Sequence, residues 1–274
     1  MKKKLILIGK SSFISNNLLY YLKNKFPIKV LSFKEFLSLS NRKIRNIDWI
    51  INCSINNKYV TKTYKEESDF DLEIAKKILT NNCKYIFLSS RKIYKISDNT
   101  NERSKVNPKC NYSKNKLITE NKLHQLLQNR LLILRITNLI GLRQTKLKRR
   151  KVHKIFMDHF FDNIQKGLIF KNNRIYKDFL STQQFSKVVE KLINKNITGV
   201  YNVSMGKKVY LKNLIEWLNY YNRRKYMYVD LPKNYNSDCF YLSNNKISKK
   251  INLNPSLIDL EKYCKKISKI FFKK

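Results

Sequence analysis

Tyr112 and Lys116 stand four residues apart in the stretch NYSKNKLITE, residues 111–120. On a helix that spacing puts the two side chains one turn apart on the same face. A free tyrosine has a pKa of about 10, too high for a base near neutrality, and an ammonium beside it stabilises the phenolate and lowers that value. Such a couple suits the movement of a proton at a substrate oxygen. The spacing alone is a weak signal. With 17 Tyr and 58 Lys and Arg in 274 residues, chance places a basic residue four positions after a tyrosine about three or four times. The pair gains meaning from the elements that would hold it.

Those elements alternate. KLILIG is a short apolar run stopped by Gly9, which predicts a strand buried on both faces. From Phe13 onward Ile14, Leu18, Leu19 and Leu22 recur at helical intervals, predicting a helix to about Lys25. IKVLSF and NIDWIINCS read as second and third strands with a polar stretch between them, DFDLEIAKKIL as a helix, and CKYIFLSS as a fourth strand. After Pro108, Leu117, Leu123, Leu126 and Leu127 favour a helix that carries Tyr112 and Lys116. LLILRITNLIG reads as one further strand ending at Gly141. This order implies an α/β fold, a Rossmann-type doubly wound parallel sheet with helices on both faces. Beyond Gly141 the regularity fades. A basic run, LRQTKLKRRKVHK, leads to helical IFMDHFFDNI, then KDFLSTQQFSKVVEKLI, strand-like GVYNVSM, and helices at LKNLIEWLNYY and LIDLEKYCKKI.

The formal net charge is +39. It suggests a phosphate-bearing partner or an anionic surface. It also fits lysine spread over solvated faces, because Lys, Asn and Ile, the residues of AT-rich codons, are abundant while Gly numbers only 5. The five cysteines, Cys53, Cys83, Cys110, Cys239 and Cys264, are widely spaced and form no C-x-x-C, as expected of reduced thiols in a cytoplasmic protein. His124, His153 and His159 lack metal-ligand spacing, so no metal site is expected. LILIG is too short for a signal peptide's apolar region, and no window offers the roughly 20 apolar residues of a membrane span.

A strand that runs through Gly9 into a helix can present helix N–H groups and the helix dipole to a phosphate. The spacing Gly9-x-x-Ser12-x-x-Ser15 keeps one of the three glycines that a dinucleotide fingerprint uses. A Cβ at Ser12 would crowd the phosphates. A plain strand-to-helix turn explains the same residues.

Taken in order, GKSSFIS (9–15), INCS (51–54), FLSSRKIY (87–94), YSKNK (112–116) and LRITNLIG (134–141) resemble the extended short-chain dehydrogenase/reductase family, and more narrowly its nucleotide-sugar epimerase, dehydratase and 4-keto-reductase branch. DFLSTQQFSKVV (178–189) and GVYNVSMGKKVYLKNLI (199–215) resemble later segments of that family, so the likeness runs to about residue 215. The resemblance implies NAD or NADP as cofactor, bound around Gly9, Ser12, Phe13 and Ile14 and beside the backbone of Cys53 and Ser54. It implies Tyr112 as the acid/base, Lys116 as its tuner and the anchor of the nicotinamide ribose, Ser90 as the hydroxyl that steadies the substrate oxygen, and Asn138 as a substrate contact. For Ser90 and Asn138 a strand-end turn is the other reading; for Tyr112 and Lys116 it is a solvated helix start.

Two departures from the pattern matter. The acid that usually meets the adenosine ribose after the second strand is missing; Ser32 and Lys34 stand there and would accept a 2′-phosphate, which favours NADP. Arg91-Lys92 replaces the Asp-Glu pair of the 4,6-dehydratases, which disfavours dehydration and leaves epimerisation and 4-keto reduction. The basic run 146–154 could hold a nucleotide-sugar diphosphate or could be an exposed loop. The expectation is a Rossmann domain over residues 1–145, joined by a strand near 199–204, with a discontinuous substrate region over 146–274. The enzyme would act on a nucleotide sugar in surface polysaccharide synthesis, without a specific nucleic acid, and a homodimer is left open. The alternative is a non-catalytic dinucleotide- or RNA-binding protein on the same fold.

Overall fold

The apolar runs assemble into one sheet. The computed structural model describes residues 2–142, 156–165, 167–171, 174–223, 227–230 and 238–272. Its strands are β1 (Leu5–Ile8), β2 (Ile28–Leu31), β3 (Trp49–Asn52), β4 (Lys84–Ser90), β5 (Leu131–Ile136), β6 (Asn138–Ile140), β7 (Leu168–Lys171), β8 (Tyr176–Lys177), β9 (Phe179–Ser181), β10 (Gly199–Val203), β11 (Val209–Tyr210) and β12 (Met227–Asp230). The helices are α1 (Phe13–Leu22), α2 (Phe33–Leu37), α3 (Asn41–Ile44), α4 (Asn57–Thr61), α5 (Phe70–Lys77), α6 (Asn111–Leu127), α7 (Phe156–Gln165), α8 (Thr182–Asn194), α9 (Leu211–Asn219), α10 (Asn245–Ile251) and α11 (Leu257–Phe272).

Six strands pair in the order β10-β5-β4-β3-β1-β2, every pair parallel. The two-residue period of a strand sorts their side chains between two cores. Leu5 and Leu7 pack with Leu18 and Leu22 of α1 and Val188 and Leu192 of α8. Ile6 and Ile8 pack with Phe36 of α2, Ile74 of α5 and Leu123 of α6 on the opposite face. The sheet is therefore covered on both sides and doubly wound. Strand order reverses between β1 and β3, which opens a crevice at their carboxyl ends.

Three sequence expectations change in detail. The first helix ends at Leu22 rather than about Lys25, because the Lys25 and Phe26 amides turn back onto the Leu22 carbonyl to enter β2. The polar stretch between the second and third strands folds into α2 and α3. The LLILRITNLIG run is two strands. Thr137 breaks it, its amide bonding Val203 O at 3.1 Å and its hydroxyl bonding Asp178 O at 2.8 Å. Beyond it β6 leaves the main sheet and pairs with β9, with Asn138 opposite Phe179. No helix among the described residues is long and apolar enough to cross a membrane.

Candidate active site

The turn after β1 is shaped by one glycine. Gly9 adopts φ +120°, and a Cβ there would meet Ser54 N at 3.1 Å and Cys53 C at 3.2 Å. The end of β3 thus lies against the turn, and only glycine fits both the dihedral and the space. Ser12 follows as the N-cap of α1, its hydroxyl accepting the Ser15 amide at 3.5 Å. Phe13 and Ile14 open the helix, half-buried. One helix N–H that a phosphate could use is therefore held by the cap. Ser54 is engaged locally, its amide and hydroxyl both donating to Asn52 Oδ1 at 2.9 and 2.6 Å. Burial pushes the Cys53 thiol up, in keeping with a small packed residue.

At the end of β2, Ser32 is engaged by the helix that follows it. It is the N-cap of α2 in a capping box: its hydroxyl accepts the Glu35 amide at 3.2 Å, and Glu35 Oε2 accepts the Ser32 amide at 2.7 Å. Lys10, from the turn after β1, pairs with the other Glu35 oxygen. A carboxylate thus stands three residues beyond Ser32 and is folded back over it. The Lys10 ammonium and the Ser32 backbone hold its carboxyl down at about 2. The S-x-x-E spelling of Ser32-Phe33-Lys34-Glu35 was the signal that could have found it.

Tyr112 and Lys116 both lie on α6, Tyr112 half-buried in the first turn and Lys116 buried one turn on. The Lys116 ammonium stands 4.3 Å from the Phe87 ring and 5.5 Å from the Tyr59 ring, and Tyr59 is also in electrostatic reach of Tyr112. Its counter-ion is Asp71 of α5, at 3.6 Å. Asp71 also accepts from Asn52 Nδ2 at 2.9 Å and the Tyr85 hydroxyl at 2.6 Å. Asp71 carried no sequence signal, since an acid in the first turn of an amphipathic helix reads as solvated.

The register of α6 is fixed from inside the protein. Glu120, one turn beyond Lys116, takes two Arg135 nitrogens, Nη2 at 2.7 Å and Nε at 3.2 Å, and also the Ser89 hydroxyl. Arg135 continues to the Tyr94 hydroxyl at 2.8 Å, and Tyr94 donates to Asn202 Oδ1 at 2.8 Å. Thr119 donates to Asp69 at 2.6 Å, and Asn115 donates to the Tyr59 and Lys62 carbonyls. The polar face of α6 is thus partnered by β4 and β5 and by residues of α4 and the amino end of α5.

Ser90 ends β4, 9% exposed, and caps the turn Arg91–Ile93 by accepting the Lys92 amide at 3.2 Å. That turn lies beside the amino end of α6, where Lys92 is in electrostatic reach of Cys110. Among the described residues nothing accepts the Ser90 hydroxyl proton. Asn138, half-buried, spends one amide hydrogen on Asp178 O at 2.9 Å, and its side-chain oxygen meets no donor among the described residues. Gly9, Cys53, Ser90 and the start of α6 all lie at or beyond the carboxyl edge of the sheet. The basic run 146–154 lies outside the described residues, apart from which no group of His, Cys, Asp and Glu among the described residues could hold a metal ion.

No family model and no curated protein sequence matches this chain. Solved structures do. A UDP-N-acetylglucosamine 4-epimerase from Methanobrevibacter ruminantium M1, in complex with UDP-N-acetylmuramic acid, is 18% identical, with 99% of each chain covered and a TM-score of 0.78. A UDP-glucuronic acid 4-epimerase from Bacillus cereus in complex with NAD is 15% identical over 98% of this chain and 99% of that one, TM-score 0.75. RMD from Pseudomonas aeruginosa, complexed with NADPH, is 17% identical over 97% of each, TM-score 0.73. At these identities the likeness is one of fold, and it spans the whole length of the chain.

Proposed function

We propose that this chain is an extended short-chain dehydrogenase/reductase that epimerises or reduces a nucleotide sugar with a nicotinamide dinucleotide. The observation that carries the reading is the placement of Tyr112 and buried Lys116 on α6, beside the Ser90 turn and at the carboxyl edge of a doubly wound sheet. Full-length likeness to UDP-sugar 4-epimerases, one of them bound to NAD, and to RMD bound to NADPH supports it.

The residues present fit a dinucleotide. The Gly9 turn forms a cradle that a Cβ would fill, and it opens onto the amino end of α1. Glu35, Lys10 and Lys34 would meet the adenosine ribose, and Lys116 the nicotinamide ribose. When bound, the nicotinamide ring supplies or accepts the hydride at the sugar carbinol carbon. Tyr112 gives or takes the proton on the carbinol oxygen as that carbon is reduced or oxidised. Ser90 donates to the same oxygen and fixes its position. Lys116 holds positive charge near the phenolate that Tyr112 becomes. Arg91 and Lys92 offer no carboxylate for an elimination, which separates this site from the 4,6-dehydratases. Glu35 opposes a 2′-phosphate while Lys10 and Lys34 attract one, so NADP preference rests on those two lysines. Synthesis of surface polysaccharide is the role this chemistry would serve, in the cytoplasm.

A thermal-shift screen with NADH, NADPH and UDP-, dTDP-, GDP- and CDP-sugars tests the reading, since a ligand at 100 times its Kd stabilises by about 2.7 kcal/mol. Stabilisation by a dinucleotide and by at least one nucleotide sugar is expected. RNA binding that survives physiological salt, with no shift by any dinucleotide, would favour the non-catalytic alternative.

A further inference from the structure

Two cations flank the candidate substrate residues outside any ion pair among the described residues. Arg91 follows Ser90 directly, and its guanidinium stacks 3.5 Å from the centroid of the Phe240 ring. Its Nε is closed off from solvent and has no hydrogen-bond partner among the described residues. Lys177 ends β8, next to Asp178, whose carbonyl holds the Asn138 amide. Neither Arg91 nor Lys177 forms an ion pair with a described residue. The two are close enough to repel. Burial, with the Arg91 charge added to it, pushes the Lys177 ammonium down, and burial pushes the Arg91 guanidinium down to about 10. Two carboxylates are within electrostatic reach. Asp238 is exposed, and Asp178 already accepts the Met205 and Leu242 amides at 2.8 and 3.0 Å.

Half-buried like charges destabilise a protein unless something of opposite sign fills the space between them. The Phe240 ring fixes the guanidinium plane and leaves its edge for a planar, two-oxygen acceptor. We infer that Arg91 and Lys177 form an acid-recognising wall of the substrate site, which takes a sugar carboxylate within one or two bonds of the reacting carbinol. The inference rests on the nucleotide-sugar reading above. Position separates this anion from the diphosphate. Arg91 adjoins the residue that meets the reacting oxygen, whereas the diphosphate leaves the sugar from its anomeric carbon. The substrate class is therefore a nucleotide-linked uronic acid.

Calorimetric titration of the full chain with UDP-glucose and UDP-glucuronic acid, and with GDP-mannose and GDP-mannuronic acid, tests it. The acidic member of a pair should bind at least about 10-fold tighter, equivalent to about 1.4 kcal/mol. Arg91→Gln and, independently, Lys177→Gln should each erase most of that preference and leave the neutral member's affinity within about twofold. Arg91→Lys should keep part of it. Ligand-free melting of both glutamine variants should be unchanged or higher, since each removes a repulsion. Equal or tighter binding of the neutral sugars overturns the inference and leaves the nucleotide-sugar reading intact. Equal weakening of both members by Arg91→Gln assigns the cations to the diphosphate and also overturns it. Failure of these four compounds and of the dTDP- and CDP-sugars to bind removes both readings together.

Discussion

The Lys116 ammonium lies 3.6 Å from the Asp71 carboxylate, and each side chain is only 6% exposed. Burial raises the Asp71 carboxyl above its ordinary range, against the pull of Lys116. The carboxylate ties α5 to α6 and fixes where the ammonium stands. Asp71→Asn keeps oxygen for Asn52 and Tyr85 but strands a buried charge. We expect it to lower stability by about 3–5 kcal/mol and to weaken dinucleotide binding. Combining it with Lys116→Met should restore much of the stability and none of the binding. Urea unfolding beside dinucleotide titration reads both effects, and a double variant no more stable than Asp71→Asn would refute the pairing.

Tyr112→Phe removes the one proton that the proposed chemistry needs. Turnover should fall by about 10²- to 10⁴-fold with dinucleotide affinity nearly unchanged. Lys116→Ala should reduce both. An unaltered kcat in Tyr112→Phe sinks the assignment.

Ser12→Gly separates the two jobs of that residue. Glycine at an N-cap costs only a few tenths of a kcal/mol, so the melting temperature should barely move. Freeing the Ser15 amide and removing the Cβ should tighten dinucleotide binding. Weaker binding, measured by fluorescence titration, would show that the hydroxyl itself serves as a ligand.

Glu35→Gln tests the cofactor ribose. The carboxylate is ionised at any working pH, since Lys10 and Ser32 hold its pKa down at about 2. Its removal frees Lys10 for a 2′-phosphate. The NADPH-to-NADH affinity ratio should rise about 10-fold. An unchanged ratio places the ribose elsewhere.

Asp178 gives the fold a pH dependence. It is fully buried, and burial raises its carboxyl to about 7 although the Leu242, Met205 and Gly206 amides oppose that rise. A raised value favours the protonated form in the folded state. The stabilisation is complete below about pH 4 and is lost as pH climbs through about 7, a span worth on the order of 4 kcal/mol. Between pH 5 and 8 the wild-type protein should therefore lose stability relative to Asp178→Asn. Parallel urea midpoints for the two proteins would contradict this.

The sheet was legible because its strands are buried on both faces, which leaves short, mostly apolar runs such as LILI, WIIN and LLILRI, polar only at Asn52 and Arg135 near their carboxyl ends. The helix with Tyr112 and Lys116 was legible from its leucine spacing. The break at Thr137 was not, because a β-branched residue continues a strand pattern and the cause lies in the distant carbonyls of Asp178 and Val203. Asp71 and Glu120 were hidden for a related reason. A helical acid reads as solvated unless its partner is known, and their partners come from other elements.

The last strand of the sheet has a consequence for dissection of the protein. β10 arrives from the second half of the chain and covers β5 from Leu132 to Ile136. A fragment ending near residue 145 would expose that apolar strand as a raw edge, with its amides and carbonyls open to any passing chain. Such an edge templates aggregation. That fragment should be insoluble when expressed alone, and soluble only when residues 199–203 are supplied, whether in the same chain or as a separate peptide.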